Sequence, residues 1–143
     1  MDCCSLAERQ VSLNAQEWDT HVSFTALHLC ASPCGRYLVV ATDKNMHVML
    51  VAGSSLRVRT FAGHSCGDYG KPRLSFDPSG RYLFSNSEAE SDVYVYSVAS
   101  ERAATVLQGH RGVVRDVCCH PLRRELLTAS HDKTSIHWVP PGL

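Results

Sequence analysis

Apolar residues recur along this chain in short runs that alternate with polar residues. Residues 57–61 and 104–108 alternate polar and apolar positions, the period of a strand with one face in water. Residues 37–41 and 92–98 are rich in β-branched and aromatic side chains, which favour strands, and residues 77–80 read Asp-Pro-Ser-Gly, a hairpin-turn composition. No long segment has a helical period. The pattern therefore predicts an all-β chain of short strands and tight turns.

The same order of features occurs three times. Each unit opens with a histidine, at His21, His64 and His110, so that successive units are offset by 43 and 46 residues. A four-stranded propeller blade takes roughly 40–45 residues. The longer offset is explained by an inserted loop at 65–72 that contains glycine and proline. We assign residues 1–19 to an N-terminal tail or partial outer strand and residues 20–143 to the three units, at 20–62, 63–108 and 109–139.

The third unit resembles a WD repeat. It combines Gly109-His110 with Thr128, Asp132 and Trp138 at the spacing of that family. The resemblance extends over about residues 20–139. It implies an all-β fold, an incomplete β-propeller of about three four-stranded WD-type blades. It also implies that His110, Thr128, Asp132 and Trp138 form a buried structural relay of hydrogen bonds.

The chemistry of these four side chains suits such a relay. An indole N–H only donates, a hydroxyl donates and accepts, a neutral imidazole does each with one nitrogen, and an ionised carboxylate only accepts. The order Trp138, Thr128, His110, Asp132 therefore gives every buried polar group a partner.

The other two units depart from the motif. His64, Ser85 and Tyr96 predict a weaker relay in the second unit, where the hydroxyl and the aromatic residue are one residue further apart than in the third. The first unit has Val39 in place of the hydroxyl residue and Met49 in place of tryptophan, so we expect no complete relay there.

Two alternatives use the same residues for chemistry. Thr128, His110 and Asp132 are the residue types of a nucleophile, a base and an orienting acid, as in a hydrolase. The relay would bury that hydroxyl away from substrate, and the chain has no Gly-x-Ser-x-Gly motif. A metal protein would draw its ligands from His28, Cys30, Cys34, Cys118, Cys119 and His120. Adjacent cysteines on a strand point to opposite faces and cannot chelate one ion together. For these reasons, taken with the burial of the hydroxyl, we expect no enzymatic activity, no metal and no cofactor.

The resemblance also indicates where partners would bind. In WD-repeat proteins partners usually dock on the face formed by the loops that join outer to inner strands and by the turns that carry the motif Asp. On this sequence that face includes Val113, Arg115 and His131. The resemblance implies a non-catalytic scaffold that binds other proteins or peptides in a multiprotein complex. We interpret the acidic segment 87–92 as a solvated hairpin tip.

Composition narrows the partners and the location. Fourteen basic and fourteen acidic residues give a formal net charge of zero and a pI near 7.1, so no broad field would attract nucleic acid or an anionic membrane. Residues 1–11 contain no apolar stretch long enough for a signal peptide or a spanning helix. Seven cysteines form an odd set without disulfide spacing. We expect a cytoplasmic or nuclear protein that is not secreted, with free thiols, no membrane partner and no nucleic-acid partner.

Three blades do not close a ring, because propellers have about 4–8. Pro140 and Pro141 follow Trp138 and cannot donate to a ladder, so the third unit is expected to lack an outer strand. We interpret the chain as a fragment or short form of a longer WD-repeat protein. The alternatives are a ring completed by self-association through open blade edges, and a chain that is only marginally folded by itself.

Overall fold

The structure is a computed structural model that describes residues 6–13, 24–67 and 70–141. These residues form eleven strands in three antiparallel sheets, called blades 1 to 3, and contain no helix. Blade 1 contains, in spatial order, β1 (Ala26–Ala31), β2 (Tyr37–Thr42), β3 (Met46–Val51) and β4 (Arg57–Ala62). Blade 2 contains β5 (Leu74–Phe76), β6 (Tyr82–Ser87), β7 (Asp92–Ser97) and β8 (Ala103–Leu107). Blade 3 contains β9 (Val114–Cys119), β10 (Leu126–Ser130) and β11 (Ser135–Trp138).

The predicted all-β class and the number of blades are confirmed. Blade 3 has three strands in the described part of the chain, as expected for a unit that lacks its outer strand. Residues 139–141, two of them proline, leave the ladder directly after β11.

Tight turns join neighbouring strands within each blade. Gly35 and Gly80 occupy equivalent places in the β1–β2 and β5–β6 turns, each with a φ of 72°, a left-handed conformation that glycine adopts without steric cost. The carboxylate of Asp77 closes the second of these turns. It accepts hydrogen bonds from the Ser79 hydroxyl at 2.5 Å and from the backbone N–H of Tyr82 at 3.0 Å.

Because successive strands are antiparallel, the connections fall at two opposite ends of the sheets. The histidine end carries the described parts of the loops that contain His64 and His110, at 63–67, 70–73 and 108–113, and the turns at 43–45, 88–91 and 131–134. The proline end carries the turns that contain Pro33, Pro78 and Pro121, at 32–36, 77–81 and 120–125, and the turns at 52–56 and 98–102.

The core lies between the blades. One cluster joins blades 1 and 2 and includes the fully buried Val39, Phe61, Leu83 and Tyr96. A second cluster joins blades 2 and 3 around Val93, Val114, Val117 and Leu126. Burying one side chain of this size contributes about 1.5–3 kcal/mol to folding, so the contacts between blades hold the three sheets together.

The N-terminal segment supplies no strand among residues 6–13. Leu13 instead packs against the other face of blade 1, beside Phe24, Val40 and Leu50. The predicted first anchor, His21, lies outside the described residues. None of the described residues belongs to a helix long and apolar enough to span a bilayer.

Candidate functional site

Four side chains of blade 3 form a continuous hydrogen-bond chain. His110 lies in the loop between β8 and β9, and its ring reaches two elements of the same blade. Its Nδ1 lies 2.8 Å from Oδ2 of Asp132, and its Nε2 lies 2.8 Å from Oγ1 of Thr128. The Trp138 Nε1–H donates to the same threonine oxygen at 2.9 Å. The structure thus brings the four residues of the expected relay together in the expected order.

The ionised state of the Asp132 carboxyl determines which group donates and which accepts in every bond of this chain. The hydroxyl of Thr134, first, and then the His110 ring and two backbone N–H groups donate to Asp132 and lower the pKa of its carboxyl, against the effect of burial. The ionised carboxylate can only accept. His110 therefore donates from Nδ1, which leaves Nε2 to accept from the Thr128 hydroxyl, while the Thr128 oxygen accepts from Trp138.

The same carboxylate ties the loop of His110 to the turn between β10 and β11. Asp132 accepts from the backbone N–H of Arg111 at 3.0 Å and from the hydroxyl and the backbone N–H of Thr134 at 2.6 and 2.8 Å. Close packing requires glycine beside it. A Cβ on Gly112 would lie 2.9 Å from the backbone nitrogen of Asp132, and one on Gly109 would lie 3.0 Å from the ring of Trp138. The glycine of the Gly-His pair is therefore explained by its contact with the indole.

Blade 2 differs from the predicted weaker relay. His64 Nδ1 lies 2.8 Å from the Tyr96 hydroxyl, and the backbone N–H of His64 donates to the same oxygen at 3.1 Å. Ser85 does not bond to His64 in the structure. Its hydroxyl lies 2.7 Å from Nε2 of His47, a residue of β3 in blade 1. The phenol oxygen lies at the tip of a longer side chain than the indole nitrogen, so Tyr96 contacts the histidine directly and the serine bonds elsewhere.

Sequence reasoning did not find His47. Its ring stacks on that of His64, with centroids 3.8 Å apart and planes 7° apart. Burial lowers the pKa of His64 to about 4 and the pKa of His47 well below its usual value, so both rings are neutral near pH 7. The one available signal was position, because His47 shares a face of β3 with the core residue Met49. A histidine on an apolar strand face predicts a buried polar contact without naming its partner.

The three predicted partner-binding residues lie at the histidine end of blade 3. His131 is exposed, and its backbone N–H donates to the carbonyl of Val113 at 2.9 Å, so these two residues adjoin. Arg115 is directed toward blade 2, where its guanidinium lies 2.7 Å from Oε1 of Glu88. The two side chains of that ion pair are 28% and 12% exposed.

Glu88 also corrects the interpretation of segment 87–92 as a solvated tip. Its carboxylate accepts from the backbone N–H of Lys71 at 2.9 Å, and its own backbone N–H donates to the carbonyl of Ser65. The inserted loop of the second unit is therefore fastened to the β6–β7 turn. The contact depends on loop closure, which the alternation of residues along the chain does not encode.

The candidate metal ligands lie in two places, and three of them, Cys118, Cys119 and His120, line one hollow of blade 3. Nδ1 of His28 accepts from the backbone N–H of Leu74 at 3.3 Å, across the boundary between blades 1 and 2. Cys119 packs toward the core cluster of blades 2 and 3, while Cys118 is exposed. In the part of the chain that the structure describes, no group of three or more His, Cys, Asp or Glu side chains is arranged to hold a metal ion.

Comparison with known families and proteins locates the resemblance. Residues 101–138 match the family model described as WD domain, G-beta repeat. The matched residues contain β8 to β11 and the whole hydrogen-bond chain of blade 3. A periodic tryptophan protein 2 homolog from Mus musculus is 32% identical over 65 residues, which are 46% of this chain and 7% of that protein. A DDB1- and CUL4-associated factor 11 homolog from Caenorhabditis elegans is 32% identical over 92 residues, which are 62% of this chain and 16% of that protein. The chain thus spans a small part of the length of these relatives.

Solved structures show the same fold. The structure of U3-55K and the crystal structure of RRP9 WD40 repeats each match 80% of this chain with a TM-score of 0.69 and 16% sequence identity. This chain covers 36% and 35% of those two chains. The resemblance predicted from the third unit is therefore confirmed.

Proposed function

We propose that this chain, whose blade 3 matches a WD repeat and whose fold is that of WD40-repeat structures, is a non-catalytic scaffold that binds other proteins through the loops of its histidine end. The proposal includes membership of a multiprotein complex and a location in the cytoplasm or nucleus. The family and the fold support the scaffold role, since WD-repeat proteins generally act by binding proteins.

The observation that carries the proposal is the internal use of every polar group in the relay. His110, Thr128 and Trp138 bond to each other and to Asp132, and Asp132 accepts from the backbone of the adjoining loop. The bonds hold the loop at 108–113 and the turn at 131–134 in fixed positions. A surface held in this way loses little conformational entropy when a partner binds.

The same bonds argue against hydrolysis. The Thr128 side chain is 2% exposed, and its hydroxyl both donates to His110 and accepts from Trp138. A nucleophile must reach the carbonyl that it attacks, and a base must be free to take its proton at that point. Here the burial of Thr128 keeps its hydroxyl from a substrate, although the residue types are those of a hydrolase.

The surface beside the relay suits a protein partner. Val113 offers a partly buried apolar contact, His131 an exposed imidazole, and Arg115 a guanidinium held by Glu88. An arginine held in position by an ion pair is a geometrically defined donor for a partner's carboxylate or backbone.

Site-specific photo-cross-linking tests the proposal. A photoreactive residue replaces His131 in one variant and Ser100, which is exposed at the proline end, in a matched control. We expect a discrete protein adduct from position 131 in cells, and loss of that adduct in a second background that carries Val113→Glu. Equal adducts at both positions, or none at 131, would contradict the proposal. Hydrolysis of activated esters that is lost in Thr128→Ala would favour the hydrolase instead.

A further inference from the structure

The proline end carries a row of exposed arginines that the net charge of zero conceals. The five members lie in the hairpin turns of all three blades and together are called the arginine rim: Arg36, Arg81, Arg102, Arg123 and Arg124. The turns of blades 1 and 2 lie against each other, because a Cβ on Gly80 would be 3.7 Å from Cδ of Pro33. The three lysines of the chain all lie at the opposite end, at Lys44, Lys71 and Lys133. Arginine, and no lysine, therefore supplies the permanent positive charge of the proline-end turns.

The carboxylates of these proline-end turns are already bonded within the chain. Asp77 is 2% exposed and accepts from two groups of its own turn. Glu101 accepts from the backbone N–H of Thr60 at 2.9 Å. Glu125 lies 3.0 Å from His137 and 3.4 Å from Arg123, and its side chain is 14% exposed.

The other members of the rim have no such partner. Among the described residues, Arg36, Arg81, Arg102 and Arg124 form no ion pair. Four guanidinium groups thus face solvent with unused donors. Arginine presents these donors in a planar fork that matches a carboxylate, which makes the rim suited to an anionic partner.

An apolar groove of about 410 Å³ opens between blades 2 and 3 beside this rim. Its lining includes Phe84, Leu126, Trp138 and Val139, and Arg124 lies at its border. Tyr82 lines this groove and also a second hollow that contains its neighbour Arg81. The apolar wall of the groove and the arginines at its border are therefore contiguous.

We propose that the arginine rim and this groove bind an acidic protein segment that carries an apolar anchor residue. Acidic side chains of the partner pair with Arg81 and Arg124, and the apolar residue enters the groove, following the usual division between a buried apolar centre and a charged border. Charge complementarity with the arginines requires that the partner segment be negatively charged. The apolar wall favours a side chain over a phosphate backbone, because phosphates gain nothing from apolar surface.

This surface is independent of the histidine end. Because the two lie at opposite ends of the same sheets, one partner at each end could be held at the same time. The proposal adds a second binding surface to a scaffold. The residues that test this surface differ from those that test the histidine end.

Fluorescence anisotropy tests the proposal with a short labelled peptide of Asp and Glu around a Leu-Phe pair. We expect saturable binding that weakens with added salt, as screening of surface charge requires. Reversal of charge in Arg81→Glu with Arg124→Glu should weaken binding by about tenfold or more. The matched control, Arg111→Glu with Lys133→Glu at the histidine end, should change it by less than about twofold. Circular dichroism establishes that all variants retain the fold.

A third variant tests the groove separately from the charges. Val139 is 54% exposed, so Val139→Glu leaves the core intact and places a carboxylate at the apolar wall. We expect it to weaken binding even though all five arginines of the rim remain. Absence of binding, or equal loss in the control pair, would overturn the proposal. So would tighter binding of oligo-uridine than of the peptide, which would assign the rim to nucleic acid. Self-association that Arg81→Glu with Arg124→Glu abolishes would assign it to a second copy.

Discussion

Blades 2 and 3 contain a histidine, a hydroxyl residue and an aromatic residue at matching positions, yet they bond differently. In blade 3 the bonds close within one sheet, from Trp138 through Thr128 and His110 to Asp132. The carboxylate at the end of the series binds the adjoining loop. Blade 3 thus satisfies the polar side chains of its relay from within the blade.

In blade 2 the bonds cross into the next sheet. Tyr96 bonds to His64, and Ser85 bonds to His47 of blade 1. Nδ1 of His47 is buried without a hydrogen-bond partner among the described residues, and burial of an unpaired acceptor carries a free-energy cost. The comparison teaches that a small change of side chain, phenol for indole, can convert a hydrogen-bond chain internal to one blade into a contact between two.

Acidification separates the two regions most strongly. The pKa of His64 falls from 6.5 to about 4 on folding, and that of His47 falls in the same direction. Between pH 6.5 and about 4 the unfolded chain binds more protons than the folded chain does, so the folded state loses stability as the pH falls. For His64 alone the loss is about 3 kcal/mol. Urea unfolding at a series of pH values from 7 to 4.5 measures it.

Two histidine variants sharpen the assignment. His131→Ala removes an exposed imidazole and should keep the full pH dependence, whereas His47→Phe should reduce it. Because the Thr134 hydroxyl and further donors lower the pKa of the Asp132 carboxyl, that carboxyl should contribute little over this interval. Stability that stays constant between pH 7 and 4.5 would show that the two buried imidazoles are not the neutral pair described above.

Removal of the central histidine of blade 3 has the next largest effect. His110→Ala leaves the Thr128 hydroxyl and the Asp132 carboxylate without their shared partner, and we expect a loss of about 2 kcal/mol. Chemical denaturation measures the change, with the exposed neighbour Arg111→Ala as the control that should stay within about 0.5 kcal/mol. A loss no larger than that of the control would remove the relay from the account of stability.

The phenol of blade 2 should matter more than the indole N–H of blade 3. Tyr96→Phe leaves the buried backbone N–H and the ring nitrogen of His64 unpaired, at about 1.5 kcal/mol. Replacing the indole N–H of Trp138 by sulfur, with a benzothiophene analogue, removes one donor only and should cost less, about 1 kcal/mol. Thermal unfolding of the two proteins compares them. A larger loss for the Trp138 analogue than for Tyr96→Phe would mean that the bond from Trp138 to Thr128 stabilises the fold more than the bonds between Tyr96 and His64.

A double-mutant cycle tests the contact between blades. Ser85→Ala leaves Nε2 of His47 unpaired, and we expect a coupling energy with His47→Phe of about 1 kcal/mol. The pair of Ser79→Ala with His47→Phe serves as the control and should be additive. Additive losses for Ser85 and His47 would place the serine bond inside blade 2.

Local pattern accounts for much of what the sequence predicted. Alternation between polar and apolar positions located the strands, because one face of each strand packs on a neighbouring blade. The residues of the blade 3 relay were named from the resemblance of the third unit to a WD repeat, and the donor and acceptor chemistry of the side chains explained their order. Glu88 and Arg115 could not be paired in this way, because a residue of one blade meets a residue of the next only after packing.

The sequence by itself thus determined the strands, the turns and the polar groups that need a buried partner. Those properties depend on residues close together in the chain, where covalent geometry limits the alternatives. The tertiary structure alone decided that Ser85 bonds to His47, that Glu88 fastens the inserted loop, and that arginines from four separate turns share one end of the molecule. Each of these depends on how sheets pack against each other, and packing is set by the shape and volume of the whole interior.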